Sequence, residues 1–200
     1  MSGRDGDKGY GGLRDGDGEG KVHEVAPRFT YRDYLELTGD ERYEVIEGAL
    51  FLVPSPSVSH QEILLRVATL LNAYVRERKL GKVFVAPLDV VLSENNVLQP
   101  DVLFVSNERL GIVKEMHIAG APDLVIEIES KSTRERDRVT KRGLYGEFGV
   151  KECWLVDPER RAIMVLGDSG GQRVFTTDGE PILASSVLPD LALAVAEVFS

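Results

Sequence analysis

The sequence contains little cysteine and no long apolar segment. Cys153 is its only cysteine, so an internal disulfide and a zinc site built from several cysteines are excluded. A single cysteine is typical of a protein from a reducing compartment. No apolar run approaches the ~18 to 20 residues that a membrane-spanning helix needs, and the N-terminus has no apolar stretch typical of a signal peptide. We therefore expect a cytoplasmic protein.

Positive charge is also scarce. The chain has 24 Lys and Arg residues against 33 Asp and Glu residues, a formal net charge of −9. This charge repels polyanions, so on its own it argues against nucleic acid as a partner. The charge is unevenly distributed, however, because residues 131–142 contain six basic and two acidic side chains. Net charge therefore predicts weak non-specific binding of nucleic acid that depends on metal ions, rather than no binding.

The chain divides into a short leader and one domain. Residues 1–26 are rich in glycine and charge and have almost no large apolar side chains. Ordering such a segment costs backbone entropy that little burial would offset, so we expect residues 1–26 to be disordered. Residues 27–200 show regular helix and strand patterns, and their length fits a single domain.

Patterns within the domain predict a mixed α/β fold. A short helix begins at Thr30 or Asp33, and a β-hairpin turns at Glu47-Gly48. Capping boxes at Ser59 and Ser132 begin two long helices that end near Gly81 and Phe148. Strands are predicted at 83–92, 101–105 and 123–129, with short ones at 153–156, 162–166 and 173–175. This order of elements favours α/β layers with a mixed sheet, flanked by helices, over a β-sandwich.

Carboxylates at strand positions are the most informative feature. Asp101 begins an apolar strand, and Glu127 and Glu129 lie in another, although acids are poor strand formers and costly to bury. Glu127 and Glu129 are two residues apart, so both should project from one face of the sheet. A Mg²⁺ or Mn²⁺ ion would relieve their repulsion. The alternative is a solvated face, or ion pairs with Arg and Lys side chains of the next helix.

The basic segment that follows also has two interpretations. Asp137, Lys141 and Tyr145 are spaced to line one helical stripe, and Arg134 and Arg138 form a neighbouring one. These side chains either make ordinary surface ion pairs or form a phosphate-binding wall beside a carboxylate metal site.

A succession of short motifs resembles the Uma-two family of restriction endonuclease-like proteins. The first are Arg42-Tyr43-Glu44-Val45-Ile46-Glu47-Gly48, Pro54-Ser55-Pro56 with His60-Gln61, Gln99-Pro100-Asp101, and residues 121–128. They continue with Ser130, Ser132-Thr133-Arg134, Asp137, Lys141, Tyr145, Gly149-Val150 and residues 154–158. The resemblance covers about residues 29–199, and the order of several motifs makes it specific.

The resemblance implies the PD-(D/E)XK nuclease fold and Mg²⁺-dependent hydrolysis of phosphodiester bonds. By position, Asp101 matches the motif aspartate, Glu127 the first acid of the (D/E)XK element, and Glu44 the upstream glutamate. These three carboxylates are the expected ligands of Mg²⁺ or Mn²⁺.

This chain departs from the family pattern two residues after Glu127, where Glu129 replaces the usual lysine. Either Glu129 acts as a metal ligand or general base, or a lysine comes from elsewhere, with Lys141 the first choice and Lys131 the second. The expected catalytic residues are Glu44, Asp101, Glu127, Glu129 and Lys141. The expected nucleic-acid-binding residues are His60, Lys131, Arg134, Arg138 and Tyr145. For His60 the alternative is a structural role at the N-terminus of its helix, and for Tyr145 it is packing between helix and sheet.

The resulting hypothesis is a metal-dependent endonuclease whose partner is nucleic acid, most readily DNA, and which forms a homodimer through exposed strand edges. The alternative is a catalytically inactive nuclease fold that serves as a binding or scaffold protein, because Glu129 replaces the lysine and the net charge is negative. A glycosidase built on paired carboxylates is disfavoured, because no aromatic platform lies near the acids in the sequence.

Overall fold

A computed structural model of the chain describes residues 28–130, 136–167 and 170–200. The predicted leader 1–26, the capping box at Ser132, and two of the predicted nucleic-acid-binding residues, Lys131 and Arg134, lie outside the described residues. No helix in the described part of the chain is long and apolar enough to cross a membrane.

The described part of the chain contains four α-helices and thirteen strands, together with two shorter helical segments of other types. The helices are α1 (Tyr31–Leu35), α2 (Val58–Arg78), α3 (Arg142–Glu147) and α4 (Val195–Val198), with a 3₁₀ helix at Asn107–Ile112 and a π-helical turn at Arg136–Lys141. The strands are β1 (Arg42–Ile46), β2 (Ala49–Val53), β3 (Gly81–Val85), β4 (Asp89–Ser93), β5 (Asn96–Leu98), β6 (Val102–Ser106), β7 (His117–Ala119), β8 (Leu124–Ile128), β9 (Glu152–Asp157), β10 (Ala162–Gly167), β11 (Gln172–Thr176), β12 (Ile182–Leu183) and β13 (Leu193–Ala194).

The strands form two large mixed sheets and one small one. The five-stranded sheet has the order β2-β1-β5-β4-β7, and the six-stranded sheet has the order β11-β10-β9-β8-β6-β3. Each contains one parallel pair, β4 with β7 and β8 with β9. Strands β12 and β13 pair separately. The predicted mixed α/β fold with an N-terminal hairpin and short C-terminal strands is therefore confirmed.

Strand β8 lies inside the six-stranded sheet and separates two apolar clusters. Ile126 and Ile128 pack with the buried side of α2, whereas Val125 packs with α3 and the five-stranded sheet. This alternation confirms the predicted strand faces. It also directs Glu127, which shares a face with Val125, toward the side of the sheet that carries α3.

The N-terminal hairpin has the predicted turn. Glu47 and Gly48 both have positive φ values, 51° and 78°, which is the conformation of a two-residue type I′ turn. The turn sets a register in which Glu44 lies opposite Phe51, and Glu44 is buried. The hairpin therefore carries a carboxylate into the protein interior.

Several predicted boundaries are wrong. Ser57, not Ser59, caps α2 by accepting a hydrogen bond from the backbone N of His60 at 3.2 Å. The helix ends at Arg78, and its C-cap is Lys79, whose φ of 55° is left-handed. The predicted cap Gly81 belongs to β3 instead. The predicted strand 83–92 is two strands, since the chain leaves one sheet after β3 and enters the other at β4. The predicted long second helix contains the π-helical turn before α3.

Gly81 is required by a close approach between β3 and β6. A Cβ atom at this position would lie 2.1 Å from the backbone O of Val105. We expect Gly81→Ala to lower the free energy of unfolding by about 3 kcal/mol, measured by urea denaturation. Gly143→Ala is the matched control, because nothing lies within 4 Å of its added Cβ, and it should be neutral or stabilising by up to about 1 kcal/mol. Equal stability of the two variants would contradict this account.

Candidate active site

A cavity of about 680 Å³ lies where β1, the start of α2, the segment before β6 and the end of β8 meet. Glu44, Asp101 and Glu127 all line it, together with His60 and Lys141. The structure thus brings the three predicted metal ligands to one place, although they are separated by 57 and 26 residues in the chain.

Lys141 joins two buried carboxylates in this cavity. Its Nζ lies 2.8 Å from Glu44 Oε1 and 3.2 Å from Glu127 Oε1. The three side chains are only 3% to 7% exposed. The hydroxyl of Tyr145 donates to the same Glu127 oxygen at 2.6 Å, and the backbone N of Gln99 donates to Glu44 Oε1 at 2.9 Å. The two acids therefore share one ammonium and have further donors.

The helical segment after β8 positions Lys141 and Tyr145 together. Lys141 is the last residue of the π-helical turn and Tyr145 lies in α3, four residues later, so the two side chains share a helix face. Both contact Glu127, in agreement with the predicted stripe. The side chain of Asp137, its third predicted member, lies outside the described set. Burial, followed by the nearby charge of Glu127, raises the pKa of Tyr145 well above its ordinary value.

Asp101 reaches the cavity from the start of β6. Its Oδ2 accepts a hydrogen bond from the backbone N of Ile128 at 2.7 Å and lies 3.2 Å from His60 Nε2. Because β6 pairs with β8, this contact places the Asp101 carboxylate beside the residue that follows Glu127. His60, at the start of α2, therefore contacts a predicted metal ligand.

Glu129 has a different environment from Glu127. Its carboxylate binds the guanidinium of Arg138, with Arg138 Nη2 2.8 Å from Oε2 and Nε in contact with Oε1. Arg138 Nη2 also lies 3.1 Å from Asp157 Oδ2. Hydrogen bonding to Glu129 raises the pKa of Arg138. The ion pairs that formed the alternative interpretation of the paired acids are thus present: Glu127 binds Lys141, and Glu129 binds Arg138.

The predicted nucleic-acid-binding residues are distributed differently in the structure. His60 lines the cavity, whereas Tyr145 is 1% exposed and packs in the core. Arg138 is partly exposed but is held by two carboxylates. The burial of Tyr145 does not favour contact with nucleic acid, and the roles of His60 and Arg138 stay predictions.

The carboxylates fit a hard divalent cation in donor type. Across residues 28–130, 136–167 and 170–200, no three His, Cys, Asp or Glu side chains form a group that could hold a metal ion. Mg²⁺, however, needs only one or two protein carboxylates when water and substrate phosphates complete its shell. Asp101 and Glu127 provide carboxylate oxygens to one cavity. Glu44 lines the same cavity, where it contacts Lys141.

Gln99 is a site residue that the sequence analysis did not single out, although its motif was noted. Its side-chain Nε2 donates to Asp89 Oδ1 at 2.8 Å and to the Tyr34 hydroxyl at 3.2 Å, while its backbone N binds Glu44. Burial raises the pKa of Tyr34. Gln99 thereby connects the cavity to α1 and β4. Its position two residues before Asp101 could have identified it from the sequence.

Comparison with known proteins gives a family and a fold. A family model described as "Uma2: Putative restriction endonuclease" matches residues 31–196. Among solved structures, the chain is similar to "a putative nuclease belonging to DUF820" from Anabaena variabilis, with a TM-score of 0.73 and 23% sequence identity over 85% of this chain and 97% of that one. No curated protein matches this chain. At this identity the solved structure supports the fold alone.

The Lys141 ion pairs predict a large effect on stability. We expect Lys141→Met to lower the free energy of unfolding by about 3 to 5 kcal/mol, because it leaves two buried carboxylates without their shared cation. Urea denaturation near neutral pH measures this change. Lys82→Met, at an exposed position of β3, is the control and should change stability by less than about 0.5 kcal/mol. A Lys141→Met protein as stable as the control would disprove the assigned pairing.

The raised pKa of Tyr145 predicts a pH dependence at alkaline pH. Above about pH 10 the tyrosine ionises in the unfolded chain but keeps its proton in the folded one, so unfolding releases a proton. Stability then falls as pH rises, by about 1.4 kcal/mol per pH unit for this one group. The full slope is reached only well above pH 10, so we expect the stabilities of the wild type and Tyr145→Phe to diverge by about 1.4 kcal/mol in total between pH 9 and 11, measured by urea denaturation. Identical slopes in the two proteins would contradict the prediction.

Proposed function

The chain belongs to the Uma2 family, and from this membership and the geometry of its cavity we propose that it is a metal-dependent nuclease that hydrolyses phosphodiester bonds. The observation that carries the proposal is the placement of Lys141 between Glu44 and Glu127, beside Asp101, in one cavity. This arrangement supplies carboxylates and a cation together, although the usual lysine position is occupied by Glu129.

The cavity residues can be assigned separate tasks. Asp101 and Glu127, with Glu44, are the residues that would hold Mg²⁺ or Mn²⁺. The chemistry supplied at these residues by a bound ion would be Lewis acidity, which would polarise a phosphoryl oxygen and make a water molecule more acidic. Lys141 provides a positive charge within the cavity, where low exposure strengthens its attraction for the negative charge that develops on the phosphate.

Other side chains hold these groups in place. Tyr145 and the backbone N of Gln99 donate to Glu127 and Glu44, which keeps both carboxylates oriented toward Lys141. His60 contacts Asp101 at the cavity wall, and in our proposal it also binds a substrate phosphate.

DNA is the substrate we propose first. The cavity contains the cationic side chains of Arg42 and Lys141, and both can attract a phosphate against the negative charge of the whole chain. The single cysteine of the chain, Cys153, is buried, which agrees with our proposal of a reducing cytoplasm.

Strands β2 and β7 end one sheet and β3 and β11 end the other. Because an edge strand can pair with a second copy, we retain the homodimer as part of the proposal.

A second candidate function is a nuclease fold that binds nucleic acid without cleaving it. The specific observation in its favour is that Glu127 and Glu129 are each paired with a basic side chain. This candidate needs no metal ion.

Cleavage assays distinguish these functions. We expect the purified protein to cleave DNA with Mg²⁺ or Mn²⁺, and Glu127→Gln and Asp101→Asn to lower the rate by about 100-fold or more. Glu180→Gln, which alters an exposed ion pair, is the control and should retain activity. RNA and single-stranded DNA serve as parallel substrates, and calorimetry measures metal binding. The nuclease proposal fails if neither cleavage nor metal binding is detected, and retained binding of nucleic acid would then support the second candidate.

A further inference from the structure

We propose that Glu129 is a positioning residue, which acts through Arg138 to hold the segment that carries Lys141. The inference rests on the proposed function for its effect on cleavage, but its structural part stands on the observed contacts. It assigns Glu129 neither to the metal nor to the attacking water.

Arg138 contacts two buried carboxylates. Its guanidinium binds both oxygens of Glu129 and one oxygen of Asp157. The side chains of Glu129 and Asp157 are 0% and 5% exposed, while that of Arg138 is 31% exposed. Two contacts with one carboxylate define the orientation of the guanidinium as well as its distance.

Both carboxylates lie at the ends of strands inside the six-stranded sheet. Glu129 directly follows β8, and its backbone N donates to the backbone O of Val156 in β9 at 2.9 Å. Asp157 ends β9, and its Oδ1 accepts hydrogen bonds from the backbone N of Glu159 and Arg160, each at 3.0 Å. Arg138 is thus bound to the ends of two adjacent parallel strands inside the six-stranded sheet.

Lys141 lies three residues after Arg138 in the same π-helical turn. A π-helical turn is wider and less regular than an α-helical one, so side-chain contacts with the sheet have a larger part in placing it. Arg138 attaches the middle of the turn to Glu129 and Asp157 at the ends of β8 and β9, and Lys141 attaches its last residue to Glu127 and Glu44. Loss of the first attachment should let Lys141 shift relative to the carboxylates.

The network also gives the carboxylate of Glu129 a role that a lysine side chain could not fill. Lys141 already supplies a cation to the cavity, and Arg138 requires an anion at position 129. A lysine at this position would face the Arg138 guanidinium and repel it. Glu129→Lys, which restores the family pattern, should therefore reduce activity instead of increasing it.

The test compares Glu129→Gln, Glu129→Lys, Arg138→Gln and Arg138→Lys with the wild type. Arg173→Gln is the matched control, because it breaks an Arg–Glu pair that is about half exposed and remote in the chain. We expect kcat to fall by about 10- to 100-fold in the first three variants, with the affinity for Mg²⁺ unchanged. The KM for DNA should stay unchanged in Glu129→Gln, which keeps Arg138 itself. Arg138→Lys keeps the charge and should retain an intermediate kcat.

Amide hydrogen exchange provides a readout that does not need activity. Residues 136–147 should exchange faster in Glu129→Gln and Arg138→Gln than in the wild type, while the Arg173→Gln control should be unchanged there. If Arg138→Gln fails to fold, Arg138→Lys serves for both measurements.

Three outcomes would overturn the proposal. The first is a loss of Mg²⁺ affinity in Glu129→Gln as large as that in Glu127→Gln, which would make Glu129 a metal ligand. The second is unchanged exchange of residues 136–147 in every Glu129 and Arg138 variant, and the third is a Glu129→Lys protein more active than the wild type. If the wild type itself cleaves no substrate, the nuclease proposal fails, while hydrogen exchange still decides the role of Glu129.

Discussion

The buried contact of Lys141 with Glu44 and Glu127 is the interaction on which the rest of the site depends. Each of these ions would cost several kcal/mol if it were buried alone. Their mutual attraction, together with hydrogen bonds donated by Tyr145 and Gln99, offsets the cost of removing them from water. The contact requires the N-terminal hairpin, the inner strand β8 and the segment before α3 to meet, so it couples both sheets to one helical segment.

The face of β8 that carries Glu127 shows how an apolar strand can hold charged side chains. Its other face packs under α2 through Ile126 and Ile128, which anchors the strand by apolar burial. Glu127 and Glu129 are then presented side by side, yet each binds a different cation from the following segment. Repulsion between neighbouring acids is relieved by separate partners, and the two acids acquire different environments.

Much of the fold followed from local patterns. The hairpin at Glu47-Gly48, the short helix after Thr30 and the mixed α/β order were predictable, because turn geometry and helix caps depend on neighbouring residues. The N-cap of α2 was not, because Ser57 and Ser59 are the same residue type and the local pattern does not distinguish them. The division of 83–92 into strands of two sheets also escaped prediction, since strand patterns do not identify the partner strand.

For the candidate site, the sequence alone determined which residue types are available: acids at strand positions 44, 101 and 127, and a basic segment after them. Only the tertiary structure decided their partners. In the folded chain, Lys141 pairs with Glu44 and Glu127, and Arg138 pairs with Glu129 and Asp157. The physical reason is that charge pairing is a short-range property of side chains from distant segments. Spacing along the chain determines which face of a helix or strand a side chain lies on. Which charged side chains form ion pairs depends on which of these faces the fold brings together.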